Sequence, residues 1–265
     1  MEIALLIIVF VGLFALGVPI AICIGLSTLA TMVVTMDFLP AATTIAQRMA
    51  GGLNSFALLA IPLFILSGQL MAQGGIARRL IEFSKAMIGM VPGGLAFVNV
   101  ISCTLFGAIS GSSIAATTAV GSFMIPEMKK EGYDKNFSAA VTVTSATTGL
   151  LIPPSNTLIV YAVASGGVSI AALFVAGYVP GLMISIATLV VCAIYARRNN
   201  MPAGERVSAR VALKYTIAAL PSLFLIVLVI GGILAGIFTA TEAGAIAVLY
   251  ALLLSAVVYR EIDLA

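Results

Sequence analysis

Along this chain, apolar residues come in long unbroken stretches separated by short charged clusters. Uncharged runs extend from Ile3 to Met36, Met49 to Ala77, Ala86 to Pro126, Asn136 to Ala196 and Tyr215 to Thr241. Each exceeds the ~20 residues that a helix needs to cross ~30 Å of hydrocarbon. The pattern predicts an all-α polytopic membrane protein. Crossings are expected from Asn54 to Met71, Phe137 to Tyr161, Ile170 to Arg197, Ile217 to Gly236 and Thr239 to Tyr259. The first run is long for one helix, and Gly17-Val18-Pro19 interrupts its middle. Proline removes a backbone donor and clashes inside a helix, so this run reads as two short crossings.

The opening pattern returns late in the chain. At an offset of 219 residues, Gly12, Gly17 and Gly25 coincide with Gly231, Gly236 and Gly244. If this is a repeat, five crossings separate its copies, and an odd number makes the second copy enter from the opposite face. The second copy then stops almost as soon as it starts, so the chain reads as truncated.

Composition agrees with the pattern. Hydrophobic residues make up 62% and charged residues 9%, and the mean hydropathy is +1.20. No water-soluble domain could cover such a balance with polar surface, so lipid is the main solvent. The first run has no basic segment ahead of it and no polar cleavage region after it, which reads as retained structure rather than a signal peptide.

Charge sets the expected topology. The basic patches are Arg78, Arg79 and Lys85; Lys129, Lys130 and Lys135; Arg197, Arg198, Arg206, Arg210 and Lys214; and Arg260. The positive-inside rule puts all four in the cytoplasm. The loop from Asp37 to Gly52 and the segment from Ser165 to Ser169 fit the outer side, and the N-terminus is expected to be periplasmic, in a bacterial inner membrane. A net charge of +3 in scattered clusters excludes nucleic acid as a partner. The chain has no His, and Cys23, Cys103 and Cys192 lie in apolar stretches without ligand-like spacing. Zinc sites, His-based catalysis and a membrane-embedded enzyme are therefore disfavoured, and no cofactor is expected.

Two uncharged segments carry the candidate chemistry. The first centres on Phe106-Gly107-Ala108-Ile109-Ser110-Gly111-Ser112-Ser113. The arm after it, Ile114 to Glu127, has 14 residues, about 21 Å at 1.5 Å per residue, which favours a re-entrant hairpin over two full spans. Its tip would put Ser and Gly backbone at membrane depth, tolerated only beside protein or a water-filled cavity. Close helix packing through small residues is the competing reading. The second segment runs from Thr142 to Asn156 and contains Thr147-Thr148-Gly149 and Pro153-Pro154-Ser155-Asn156. Two prolines in succession cannot continue a helix, so this crossing must break. Either it is a simple kink, or the freed carbonyls and hydroxyls suit Na⁺ while the new helix N-terminus suits a carboxylate. Neither segment holds an acidic residue, so neutral oxygens favour Na⁺ over a proton relay.

Glu242 is the one charge inside an apolar segment, and Thr239-Ala240-Thr241-Glu242 matches a capping box. An intramembrane functional acid is the alternative. The segment Gly74 to Met90 mixes Arg78, Arg79, Glu82 and Lys85 with apolar residues. It fits an amphipathic helix along the cytoplasmic surface, or an ordinary inter-helix loop.

These features resemble the large (M-type, DctM-like) membrane subunit of TRAP transporters over essentially the whole chain. The resemblance is carried by Gly17 to Ala21, Ala60-Ile61-Pro62-Leu63-Phe64, Gly107 to Gly121, Gly149 to Asn156 and Gly236 to Ala243. It implies an inverted-repeat elevator-type transporter with a re-entrant hairpin and a broken helix, driven by Na⁺. Partners would be an organic acid, a periplasmic substrate-binding protein, a small Q-type membrane subunit and a missing C-terminal half. The implied parts are scaffold helices in 1–72, an arm helix in 73–91, a transport-domain hairpin and broken helix in 92–163, a closing helix and cytoplasmic linker in 164–214, and the second repeat's scaffold in 215–265. The implied Na⁺ site comprises Ser110, Gly111, Ser112, Ser113, Thr148, Gly149, Pro153, Pro154 and Ser155. Substrate would meet Ser112, Ser113, Ser155 and Asn156. Another elevator-type Na⁺/anion symporter or ion antiporter, needing no binding protein, is the alternative.

Overall fold

A computed structural model describes residues 2–204 and 207–261. Arg206 of the third basic patch lies outside the described residues. Helices form two compact units, Met1–Ser55 and Phe56–Ala265, and among the described residues there is no β-strand beyond one isolated bridge between Pro92 and Ala203.

In the first unit, α1 (Glu2–Ala15) and α2 (Ile20–Met32) pack against each other, and α3 (Phe38–Leu53) follows. The expected break at Gly17-Val18-Pro19 is a glycine-terminated helix end. Gly17 sits at φ +78°, donates to the Phe14 carbonyl at 3.0 Å, and Val18 donates to the Leu13 carbonyl at 3.2 Å. Those two crossed bonds satisfy the last carbonyls, and only glycine holds this backbone without strain. The stretch from Asp37 to Gly52, expected to be a loop, is helical instead. Asp37 is extended at φ −61° and ψ 153° ahead of α3, Pro40 falls in the first turn where no donor is needed, and the Ala-rich remainder propagates well.

The second unit begins with a 3₁₀ turn, Phe56–Leu59, that leads into α4 (Ala60–Gln73). The amphipathic segment is α5 (Ile76–Ile88), which buries Ile76, Ala77, Leu80, Ile81 and Ser84 while Arg78 stays exposed. The hairpin is α6 (Gly94–Ser110) and α7 (Ser113–Lys130), packed together. Here α7 runs through Glu127 to Lys130, 18 residues rather than 14. Lys129 and Lys130 face the negative end of the helix dipole, which favours extension. At about 27 Å, arm length no longer marks the pair as re-entrant.

The broken crossing is α8 (Lys135–Ala146), a 3₁₀ turn (Thr147–Leu150) and α9 (Asn156–Ala164). Then come α10 (Ile170–Arg198), α11 (Ala209–Leu234) and α12 (Ala240–Leu252), the last extended by a π-helical turn, Leu253–Val258. The α11 end repeats the geometry seen at Gly17. Gly236 has φ +70°, donates to the Ile233 carbonyl at 3.1 Å, and Ile237 donates to the Gly232 carbonyl at 2.9 Å. One of the three glycine pairs in the offset, Gly17 and Gly236, thus marks the same hydrogen-bonded turn. α12 opens with the expected capping box: Thr239 N–H donates to Glu242 Oε2 at 2.8 Å, and Glu242 N–H donates to Thr239 Oγ1.

Among the described residues, four stretches are long and apolar enough to cross a membrane: Phe56–Gln73, Ile170–Arg198, Ala209–Leu234 and Ala240–Val258. The core of the second unit contains Phe64, Met71, Phe106, Met124, Met128 and Leu225. Its exterior is apolar too. Val179, Met183, Ile186 and Val190 form an exposed stripe on α10, and Ile217, Leu220, Phe224 and Val227 form another on α11. Stripes of that kind suit lipid, where exposure of large apolar side chains costs nothing.

Candidate functional site

The hairpin tip is built by a left-handed glycine. Gly111 has φ +62° and its N–H donates to the Gly107 carbonyl at 2.9 Å, closing α6. Ser112 is extended and caps α7, its Oγ accepting from the Ala115 N–H at 3.3 Å, and Ser113 is the first residue of α7. Ser110, fully buried, donates from Oγ to the Ser112 carbonyl at 3.3 Å. The chain therefore reverses within two residues and leaves a helix C-terminus beside a helix N-terminus.

The break in the second element is built the same way. The 3₁₀ turn ends when the Leu151 and Ile152 N–H groups both donate to the Thr148 carbonyl, at 3.0 and 2.8 Å. Pro153 and Pro154, joined by a cis peptide bond, carry the buried connection. Ser155 then caps α9, accepting from the Leu158 N–H at 3.3 Å and donating to the Leu150 carbonyl at 2.5 Å.

These two elements meet. The Asn156 N–H donates to the Gly111 carbonyl at 3.3 Å, so the positive end of α9 abuts the negative end of α6. A Cβ on Gly111 would lie 2.7 Å from the Pro154 carbonyl oxygen. Further from the tip, Gly107 and Gly149 touch backbone to backbone, since a Cβ on Gly107 would lie 2.8 Å from the Gly149 Cα. For this glycine pair, small residues do serve close helix packing. The tip residues Ser110, Gly111, Ser112 and Ser113 and the break residues Thr148, Gly149, Pro153, Pro154, Ser155 and Asn156 thus belong to one junction of four helix ends.

The junction is uncharged and rich in oxygen. Ser110, Thr148 and Ser155 are fully buried, and each hydroxyl proton is already donated to a carbonyl. Each hydroxyl oxygen therefore keeps at least one lone pair. Asn156 Oδ1 is buried without a hydrogen-bond partner, a costly state that a cation or a donor group would relieve. Neutral oxygens of this kind fit a small hard cation such as Na⁺, and the N-termini of α7 and α9 fit a carboxylate.

Two contributors were not singled out from the sequence. Gly68 of α4 lets that helix press on the tip, since a Cβ there would lie 2.9 Å from the Ser110 Cβ. Asn99, fully buried in α6, donates from Nδ2 to Thr142 Oγ1 at 2.7 Å and pins the hairpin to α8. The signal for Asn99 was present, as an amide alone in Phe97-Val98-Asn99-Val100.

Comparisons with known proteins identify the family. Residues 7–265 match the family model described as the tripartite ATP-independent periplasmic transporter, DctM component. The chain is 51% identical over 96% of its length to the uncharacterized protein YgiK of Salmonella typhimurium, spanning 58% of that protein. It is 41% identical over 98% of its length to the C4-dicarboxylate TRAP transporter large permease protein DctM of Vibrio cholerae, spanning 57% of it. To the ectoine TRAP transporter large permease protein TeaC of Halomonas elongata it is 41% identical over 96% of its length, spanning 59% of that protein. The chain therefore spans less than two thirds of the length of these relatives. With a family match over nearly every residue, this chain belongs to the DctM component family of tripartite ATP-independent periplasmic transporters.

Proposed function

We propose that the chain supplies one Na⁺ site, and half of the substrate cavity, of a secondary transporter that imports an organic acid. The observation that supports this reading is the junction of Gly111 with Pro154 and Asn156. Neutral oxygens at the α6 and 3₁₀ ends stabilise the cation, while the N-termini of α7 and α9 attract the substrate carboxylate. Each charge then offsets the other in a low-dielectric setting, which couples the two bindings. Ser110, Gly111, Ser112, Ser113, Thr148, Gly149, Pro153, Pro154 and Ser155 are the proposed Na⁺ residues. Ser112, Ser113, Ser155 and Asn156 are the proposed substrate contacts.

In this reading α6 to α9 move as a transport body against α4, α11 and α12, with α5 as the arm between them. A small membrane subunit, a periplasmic binding protein and the second half of the large subunit complete the transporter in a bacterial inner membrane, with the N-terminus periplasmic. Relatives of equal identity are named for C4-dicarboxylate and for ectoine, so the shared residues do not by themselves select the cargo.

The test is substrate uptake into proteoliposomes by the transporter that contains this chain, at varied Na⁺. Replacing Ser112→Ala together with Ser155→Ala should raise the half-saturating Na⁺ concentration by about ten-fold or more, the equivalent of ~1.4 kcal/mol. An unchanged Na⁺ titration, with uptake intact, would overturn the site. Uptake that needs no binding protein would overturn the proposed dependence on that partner.

A further inference from the structure

A second feature lies away from the junction, where the start of α8 meets the end of α10. Phe137 stacks on Tyr195 at 3.5 Å between ring centroids and 8° between planes, and Tyr133 stacks on both at 6.4 Å. Beside this stack runs an open groove of about 410 Å³, lined mainly by Phe137, Ala140, Val141, Ile184, Ala187 and Val191. Two threonines also line it: Thr188 has already given its hydroxyl proton to the Ile184 carbonyl at 2.8 Å, and Thr144 is exposed. Apart from the Thr144 hydroxyl, the lining is apolar and has little to offer water. The exposed α10 stripe of Val179, Met183, Ile186 and Val190 continues the same apolar character outward.

The end of the groove is basic. Lys135 precedes Phe137 by two residues, and Arg197 and Arg198 follow Tyr195 directly after Ala196. All three are exposed, and among the described residues none is in an ion pair. Lys129 and Lys130 close α7 on the preceding turn. The acids nearby are Glu131 and Asp134, and Asp134 Oδ1 is engaged by the Phe137 N–H at 2.9 Å. Five cations against two acids leave the rim positive.

We infer that this groove binds one anionic glycerophospholipid. An acyl chain lies against α8 and α10, and the phosphate meets Lys135, Arg197 and Arg198. Between Ile184 and Val191 the groove follows α10 for roughly 10 Å, enough to hold part of one chain. A mainly apolar groove open to the bilayer gains by being filled with hydrocarbon. Basic pockets between helices at the cytoplasmic face recognise anionic headgroups, and long cationic side chains reach them by snorkelling. The positive-inside rule places this rim on the same face. None of these residues belongs to the ion and substrate junction, so the inference stands apart from the proposed transport chemistry.

The test uses the purified transporter that contains this chain, with phosphatidylglycerol and phosphatidylcholine that carry a photoreactive acyl chain. Cross-linked peptides are mapped, and retained lipid is counted by native mass spectrometry. Phosphatidylglycerol should label the peptide containing Ala187 in preference to phosphatidylcholine. Changing Lys135, Arg197 and Arg198 together to Ala should cut that preference about ten-fold. Ala187→Phe, which fills the groove, should abolish labelling by both lipids without altering the elution volume. Equal labelling by both lipids in the unaltered protein would overturn the inference. So would labelling that survives Ala187→Phe, or protection of this peptide by another segment of the transporter.

Discussion

Gly111 is where backbone freedom and close approach are both required. Its φ of +62° is strained for any L side chain, and an added Cβ would collide with the Pro154 carbonyl oxygen at 2.7 Å. Gly111→Ala should therefore cost about 1–3 kcal/mol and open the junction. Thermal unfolding of the purified transporter would show the loss, and its midpoint should no longer rise on adding Na⁺. Gly132, with φ +86° and open space around it, is the control: Ala there keeps the strain without the collision. The importance of Gly111 was legible in Ser110-Gly111-Ser112-Ser113, because three serines and a glycine at the centre of an apolar run add little hydrophobic packing. Gly68 was not legible. Nothing about Leu66-Ser67-Gly68-Gln69 says that Ser110 will lie against it, since that contact depends on how α4 docks.

Among the elements, α12 is the one whose start the sequence specifies most directly. Thr239 and Glu242 satisfy each other's backbone N–H groups, and the exposed carboxylate has no further role in that arrangement. Thr239→Ala should destabilise the helix by about 1 kcal/mol and leave the Na⁺ dependence of uptake unchanged. A shifted Na⁺ titration would revive the idea of Glu242 as a functional acid. The breaks at Pro19 and at Pro153-Pro154 were equally readable, because proline removes the donor that a continuing helix needs. The far ends of α7 and the whole of α3 were not. Charges at Glu127, Lys129 and Lys130 look like a loop in a hydropathy reading, yet they complete the last helical turn. Likewise Asp37 and Arg48 interrupt the apolar pattern without specifying the backbone between them.

Across the second unit, α5 is tied to two different neighbours by charge. Lys85 pairs with Glu127 of α7. Arg79 pairs with Glu261 at 2.8 Å and covers the Tyr259 ring at 3.6 Å, while the Tyr259 hydroxyl donates to the Ala218 carbonyl of α11 at 3.1 Å. Neither partner of Lys85 or Arg79 can be found from sequence spacing, because 42 and 182 residues separate them. Lys85→Glu should lower stability by roughly 0.5–1 kcal/mol, the modest scale of a solvent-accessible pair. Adding Glu127→Lys should recover most of it, and a melt of both variants beside the unaltered protein checks the exchange. Failure of the double variant to recover would mean that the two charges act separately. The close packing of Gly107 on Gly149 bears on motion rather than stability. At Gly107 and Gly149 the two backbones are in van der Waals contact, and the Asn156 N–H is on the Gly111 carbonyl, so hairpin and break meet there through main chain rather than side chains. In the proposed transport cycle these contacts would carry hairpin and break as one body, with any hinge lying outside residues 107–111 and 149–156.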